Sequence, residues 1–190
     1  AASDVYKRQG TNGGSFAINI QENNWLGEGK TVGFEVEIDE ESLAGTLNYV
    51  NPNYDFLGNS LNYFLSSEKN DKPDQGYENS VVSAGLGTSF EQYRDVIASL
   101  GLSASYDDLR TDNTASDSLK KQKGTFNDIS GNYSFTFDER NRSFMPTSGS
   151  IVKFGQSFPF YADRNYISNL FSASTYKTLN ENVVGSSKLY

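Results

Sequence analysis

Apolar and polar residues alternate strictly along several stretches of this chain, and no other feature constrains its fold as strongly. In residues 95–106, Leu100 and Leu102 fall on one face of an extended backbone, while Ser103 and Ser105 fall on the other. Successive side chains of a β-strand point to opposite faces, so a period of two predicts strands. The same pattern occurs in residues 15–21, 31–39 and 129–137.

Further segments carry weaker strand signals and bring the total to about ten predicted strands, each near the roughly 9–11 residues that a tilted transmembrane strand needs. Residues 166–176 alternate poorly, so we predict no faces for them. The weaker strands are 42–50, 60–68, 78–90, 150–158, 166–176 and 183–190.

The connections between these strands are predicted to alternate in length. Longer connections are expected at 67–79 and 107–128, and shorter ones at 23–30, 51–59, 91–94 and 177–182. Alternate connections of an up-and-down barrel lie at the same rim, and long loops on one rim are typical of bacterial outer-membrane barrels. The segment 138–150 is then a short turn on the rim opposite the long loops.

Composition favours a barrel over an ordinary soluble domain. The chain has 13 Phe, 12 Tyr and 17 Gly among 190 residues, yet it is polar overall. That combination is typical of an antiparallel barrel with one face in lipid and one in water. Glu35 and Glu37 alternate with Phe34 and Val36, which suits a wet lumen. They would equally suit the solvent face of a soluble β-sandwich, which therefore remains an alternative.

Several classes of site are excluded by the residue types present. Without Cys or His, the 190 residues offer no zinc finger, disulfide framework or Ser–His hydrolase. The net charge is −8, and the basic run 120–123 is too small for a nucleic-acid footprint. No apolar run is long enough for a transmembrane helix. Residues 1–9 lack the apolar region of a signal peptide, so an exported protein would have to begin upstream.

We predict no enzyme, no catalytic residue, no cofactor and no metal. Glu35 and Glu37 lie on one strand face and point the same way, whereas a glycosidase needs carboxylates that face each other. Asp112 and Asp117 lie in a predicted loop without the glycine-turned pattern of an EF-hand.

Two turn segments stand out from the strands. In 23–30, Gly27 and Gly29 can supply the positive φ of a tight turn, and Trp25 is predicted at a membrane interface. The alternative is a Trp buried in its hairpin. In 51–59, Pro52 is predicted to end a strand, and Tyr54 is either an aromatic of the membrane girdle or part of ordinary turn packing.

Three segments resemble the BamA family of outer-membrane barrel-assembly proteins. "QENNWLGEGKTVGF" (21–34) is similar to the first periplasmic turn of that family, and "LNYVNPNYDFLGNSL" (47–61) to the next. "FTFDERNRSFMPTSGS" (135–150) is similar to the fourth, which has an Asp-Arg-x-x-x-Pro-Thr-x-Gly pattern. The three occur in the family's order and spacing.

The third segment departs from the family at one position, because Asn141 stands where the family commonly has Asp. The resemblance implies that Arg142 braces the turn through a bidentate pair with a carboxylate, for which Asp138 or Glu139 is the expected partner. Pro146 would fix φ, and Gly149 would permit the turn before the next strand. The positions that define this periplasmic-turn motif are Asp138, Arg142, Pro146, Thr147 and Gly149.

The resemblance implies an all-β fold, an antiparallel up-and-down transmembrane β-barrel of which the chain holds about ten of about sixteen strands. Residues 10–190 are interpreted as a partial outer-membrane β-barrel domain, and residues 1–9 as an unmatched, non-native extension. Strands with unmatched ends are expected to form an open, curved sheet.

The function that the resemblance implies is the folding and insertion of β-barrel proteins into the bacterial outer membrane through a lateral seam. The implied partners are membrane lipid, unfolded outer-membrane protein clients, accessory assembly lipoproteins and POTRA domains of the same protein. A polypeptide-secretion barrel or a passive porin is the alternative.

Overall fold

The computed structural model describes residues 2–10, 13–164, 166–181 and 183–190. Within them, eleven antiparallel strands form one sheet whose spatial order follows the chain from β1 to β11. The strands are β1 (Ala2–Gly10), β2 (Gly13–Trp25), β3 (Lys30–Ile38), β4 (Ser42–Asn51), β5 (Ser60–Lys72), β6 (Tyr77–Tyr93), β7 (Val96–Thr111), β8 (Gly124–Asp138), β9 (Gly149–Ala162), β10 (Ser168–Asn180) and β11 (Val183–Leu189). One short helix, α1 (Asp117–Gln122), lies between β7 and β8.

The sequence alternation becomes two chemically different faces of the sheet. Leu102 of β7 lies opposite Leu86 of β6 and Gly131 of β8, whereas Ser103 lies opposite Gly85 and Ser130. Directly opposite residues of paired strands project to the same side of a sheet. We call the side of Leu86 and Leu102 the apolar face and the side of Ser103 and Ser130 the polar face.

Burial is inverted relative to a water-soluble protein. On the apolar face Leu100 is 51% exposed and Leu102 is 48% exposed, while Ser130 on the polar face is only 6% exposed. Among the residues whose burial the structure describes, Ala98 and Ala115 are the only buried hydrophobic residues. A β-sandwich would cover such leucines with a second sheet, and here a single sheet exposes them. The soluble β-sandwich alternative is therefore wrong.

The predicted fold class is confirmed: an all-β, antiparallel, up-and-down sheet that stays open. Each strand pairs with its neighbours in sequence, and no pairing joins β11 to β1 in the described part of the chain. The ten strands that the sequence predicts correspond to β2–β11.

One strand was not predicted. Ala2–Gly10 forms β1, which pairs with β2 from Ala2↔Gln21 to Gly10↔Gly13. The interpretation of residues 1–9 as a non-native extension stays a prediction, because strand pairing uses backbone groups that every residue except proline supplies.

The predicted alternation of connection lengths is wrong. Residues 67–79 are not a long loop, because β5 continues to Lys72 and β6 begins at Tyr77, leaving a turn with a short 3-10 helix. The longer connection at 107–128 shrinks to 112–123. Polar strand ends look like loops in sequence, but Lys69 of β5 and Glu78 of β6 are diagonal neighbours in the ladder and form an ion pair with Nζ and Oε1 3.1 Å apart. Within the described ranges, no helix is long and apolar enough to cross a membrane.

Candidate functional site

One rim of the sheet collects all the turn residues that the sequence singled out. Because the sheet is an antiparallel meander, the connections 26–29, 52–59, 94–95 and 139–148 lie at the same end of the strands. We call this end of the sheet the turn rim. The connection 112–123 lies at the opposite rim, so the 138–150 segment stands across the sheet from it, as predicted.

The 139–148 turn is anchored to both of its neighbours by backbone hydrogen bonds. The Asp138 N–H donates to the Asp95 carbonyl at 2.9 Å, and the Glu139 N–H donates to the Ser150 carbonyl at 2.9 Å. Gly149 closes the turn with φ at +93°. The strand ladder thus continues to the first residue of the turn, and one further backbone bond, from the Asn141 N–H to the Ser148 carbonyl at 3.1 Å, crosses the turn beyond it.

The bidentate ion pair of this turn joins Asp138 to Arg140. Arg140 Nε donates to Asp138 Oδ1 at 2.8 Å, and Nη2 donates to Oδ2 at 2.7 Å. Arg142 instead donates from Nε to the Met145 carbonyl at 2.7 Å. The predicted pairing of Arg142 with Asp138 or Glu139 is therefore wrong. Residues two apart on an extended chain share a side, so the spacing favoured Arg140 as the partner of Asp138.

Asn141 holds the far half of the turn. Its side-chain Oδ1 accepts the Thr147 N–H at 3.1 Å and the Ser148 N–H at 3.2 Å, and its Nδ2 donates to Thr147 Oγ1 at 2.8 Å. One side chain thus closes the loop across to the residues that follow Pro146. The sequence marked Asn141 as a departure from the family pattern, and the structure makes it a central brace.

Replacing Asn141 with alanine should lower the free energy of unfolding by about 1–2 kcal/mol, because three hydrogen bonds of the turn are lost. Asn141→Asp is the matched control: it keeps both acceptor bonds to backbone N–H groups and should lose less than half as much. Urea unfolding of the full-length protein in vesicles measures both. Equal losses for the two variants would contradict the bracing role of Oδ1.

Trp25 stands at the base of the 26–29 turn and is 45% exposed, so the alternative of a buried hairpin Trp is wrong. The turn has the expected backbone, with φ of +77° at Gly27 and +69° at Gly29. The Gly29 N–H donates to Asn24 Oδ1 at 2.7 Å. The membrane-interface position of Trp25 stays a prediction.

The 52–59 turn is organised by Asp55, which sequence reasoning missed. β4 ends at Asn51, directly before Pro52, as predicted. Asp55 Oδ1 accepts the N–H groups of Leu57 at 2.9 Å and Asn59 at 3.1 Å. Tyr54 and Phe56, at the tip of the turn, are exposed rather than packed into it. The Asp-x-x-Gly-Asn run is the signal that could have revealed this side-chain-to-backbone turn.

The hydrogen bond from the Asn59 backbone, followed by that from its side-chain amide, holds the pKa of Asp55 below its ordinary value of 3.8. Since these bonds favour the charged form, their stabilisation is present above the ordinary pKa and is lost as pH falls through the folded pKa. We expect the Asp55 carboxyl carbon to titrate below pH 3.8 in carbon-detected NMR. Asn59→Ala keeps the backbone N–H and removes the side-chain amide, so the midpoint should move upward in part, and an unmoved midpoint would contradict the contribution of the side-chain amide.

The turn rim exposes apolar side chains at the tips of several turns. Phe56 is 95% exposed, and the other members of the set are similarly open to their surroundings. The set comprises Leu26, Tyr54, Phe56, Leu57, Tyr93, Phe144 and Met145. Several exposed apolar residues on one rim are typical of a contact surface, either with a membrane interface or with another protein.

A cleft of about 540 Å³ separates the 52–59 turn from the 139–148 turn. Pro52 borders it on one side, and the Asp138–Arg140 pair borders it on the other. The described residues hold no group of three or more side chains arranged to bind a metal ion. The cleft is therefore lined by both polar and apolar side chains.

Two comparisons with known proteins bear on the identity of the chain. A family model described as the Omp85 superfamily domain matches residues 24–189. A solved structure, the crystal structure of BamA from Haemophilus ducreyi lacking POTRA domains 1–3, aligns with a TM-score of 0.70 at 21% sequence identity. The alignment covers 93% of this chain and 37% of that one, so this chain spans little more than a third of the structure that it matches.

Proposed function

This chain belongs to the Omp85 superfamily, and from that premise we propose that it forms part of the outer-membrane barrel of a protein that folds and inserts other β-barrel proteins. The observation that carries the proposal is the exposed apolar face, where Leu100 and Leu102 have no protein covering them. A bilayer is the solvent in which such a face is stable, and a barrel strand crosses it by alternating lipid-facing and lumen-facing residues.

We place the lateral seam of the proposed mechanism at the open edge of the sheet. Residues 15–23 in β2 would lie beside the gate, and an incoming client strand would pair with the exposed backbone by β-augmentation. Hydrogen bonds formed along that edge would drive pairing without ATP or a cofactor. A narrow apolar belt beside the seam would thin the bilayer locally and lower the barrier to insertion.

The turn rim is the proposed periplasmic surface, where POTRA domains of the same protein and accessory lipoproteins would dock. Its exposed Phe56, Phe144 and Met145 support this role, because apolar tips rimmed by polar groups are typical of protein contacts. The cleft beside the Asp138–Arg140 pair would receive a partner side chain.

Depletion of the full-length protein tests the assembly function. With the gene under a repressible promoter, several unrelated outer-membrane barrel proteins should fall together while inner-membrane proteins stay constant. A plasmid-borne wild-type copy should restore them. Unchanged barrel levels would remove the assembly function and favour the secretion barrel or passive porin, whose loss affects transport alone.

A further inference from the structure

An apolar groove of about 320 Å³ lies on the apolar face, midway along β6–β9. Leu86 and Leu102 form one wall, and Phe158 and Phe160 form the other. Gly131 lies between the walls. The volume is at the low end of small-molecule sites.

Gly131 creates the groove by interrupting a continuous row of large side chains. The row runs across four strands as Leu86, Leu102, Gly131 and Phe158, each directly opposite the next. A Cβ atom at Gly131 would lie 2.8 Å from Phe160 Cε2 and 3.3 Å from Phe158 Cζ. Because Gly131 has no side chain, the surface between the two walls is recessed, and the rings of Phe158 and Phe160 extend over it.

A β-bulge sets the aromatic wall. Ile129 pairs with Tyr161 and Ser130 pairs with Pro159, so Phe160 has no residue opposite it. Its ring meets Phe158 edge-on, with centroids 5.2 Å apart. Bulges redirect single side chains, and edge-to-face rings are a favoured aromatic geometry. The wall is thus held in place before any ligand arrives.

Two polar side chains that line the groove, those of Tyr133 and Thr88, have hydrogen-bond partners within the sheet, and Thr88 Oγ1 donates to the Ser60 carbonyl at 2.7 Å. Tyr133 donates from its hydroxyl to Gln156 Oε1 at 3.1 Å, and Gln156 Nε2 donates to Asn169 Oδ1 at 2.7 Å. The side chains of Leu86, Leu102, Phe158 and Phe160 dominate the lining, so the groove presents mainly carbon to an occupant. A ligand with a buried polar group would find little compensation for its desolvation.

We propose that this groove seats one acyl chain of an outer-membrane phospholipid. The inference rests on the proposed function only in requiring that the apolar face meets the bilayer. The groove is continuous with that face, open to it and closed toward the polar face by the sheet itself. A linear, flexible hydrocarbon chain fills a shallow open groove of this volume, and its headgroup remains free to reach the membrane surface.

Lipid retention by the full-length protein tests the proposal. Native mass spectrometry in a mild detergent, over a series of delipidation steps, measures the fraction that carries one phospholipid. Gly131→Leu should lower that fraction at least fivefold, because the new side chain would fill the floor and displace the Phe160 ring, which lies 2.8 Å from the Cβ position. Gly45→Leu is the matched control: Gly45 lies opposite Val36 on the apolar face, and a Cβ atom there would stand 4.0 Å from its nearest neighbour, the Glu35 carbonyl oxygen.

A second variant keeps the test decisive if Gly131→Leu does not fold. Phe158→Ala removes one wall without adding bulk and should also lower retention. Equal retention in the wild type and every folded variant, or retention of lipopolysaccharide or a polypeptide in place of phospholipid, would overturn the proposal. Barrel folding is followed separately by heat-modifiable gel mobility. If phospholipid retention is unchanged in the variants while depletion still lowers the levels of outer-membrane barrel proteins, only the lipid-binding proposal is removed. If the full-length protein is absent from the membrane, the proposed function is removed as well.

Discussion

Replacing Leu102 with arginine should destabilise the barrel by about 2–4 kcal/mol, because arginine at the bilayer midplane loses its hydration. Leu102 lies midway along β7 on the apolar face and is 48% exposed. In a water-soluble protein an exposed leucine could be replaced by a charge within roughly 0.5 kcal/mol. The size of the effect therefore reports which solvent covers this face.

Ser105→Arg on the same strand is the control for that substitution. Ser105 projects to the polar face, directly opposite Asp128, whose Oδ2 is buried without a hydrogen-bond partner. A guanidinium there gains a carboxylate and faces the lumen, so the change should stay within about 1 kcal/mol. Urea unfolding of the full-length protein in lipid vesicles measures both variants. Equal costs, or a neutral Leu102→Arg, would mean that hydrocarbon does not cover the apolar face.

Gly149→Ala should cost about 3 kcal/mol or more, because both the positive φ and an overlap with backbone act against alanine. Gly149 has φ at +93°, and a Cβ atom there would stand 2.2 Å from the Glu139 carbonyl oxygen. Backbone cannot move aside as a flexible side chain can. The substitution would separate β9 from the turn that Asp138 and Arg140 brace.

The variant Gly27→Ala separates the cost of the positive φ from the cost of the overlap with backbone. Gly27 also has a positive φ, at +77°, but a Cβ atom there meets nothing within 4 Å. It should lose only about 1 kcal/mol, the ordinary cost of placing alanine in the left-handed region. The difference in unfolding free energy between the two variants measures the steric contact. A similar loss at both glycines would show that the turn relaxes around Gly149.

The strands and their faces could be predicted from sequence because the two solvents of a barrel impose a period of two. Leu100 and Leu102 carry this signal without ambiguity. The strand ends could not be predicted in the same way. Lys69 and Glu78 continue the ladder past the apolar belt, where both faces are polar and the alternation vanishes. Long polar ends therefore resemble loops until the cross-strand partner is known.

The type of interaction that braces the 139–148 turn was predicted, but the residues that form it were not. A bidentate Arg–carboxylate pair was expected and exists, but with Arg140 in place of Arg142. The family pattern pointed to Arg142, whereas the local geometry depends on which side chain folds back toward Asp138. Asn141 and Asp55 act on backbone N–H groups, and such bonds depend on loop conformation that spacing alone does not determine.

The bulge at Phe160 had no signal that a period-two analysis could use. The run Phe158, Pro159, Phe160 and Tyr161 is almost continuously apolar or aromatic, so it assigns no face. Only the pairing of β8 with β9 shows that one residue is extra. The groove beside Gly131 follows from that bulge and was likewise beyond prediction.

Cysteine scanning along β7 tests the central claim, that the exposed apolar face meets hydrocarbon, most directly. The 190-residue chain contains no Cys, so once any cysteines elsewhere in the full-length protein are replaced by serine, single cysteines can be placed at each position from 99 to 105. In native membranes of cells that express the full-length protein, a small water-soluble thiol reagent should label 99, 101, 103 and 105 from the lumen. It should leave 100, 102 and 104 unlabelled until detergent is added. Uniform labelling, or labelling of the leucine positions first, would contradict a lipid-facing wall.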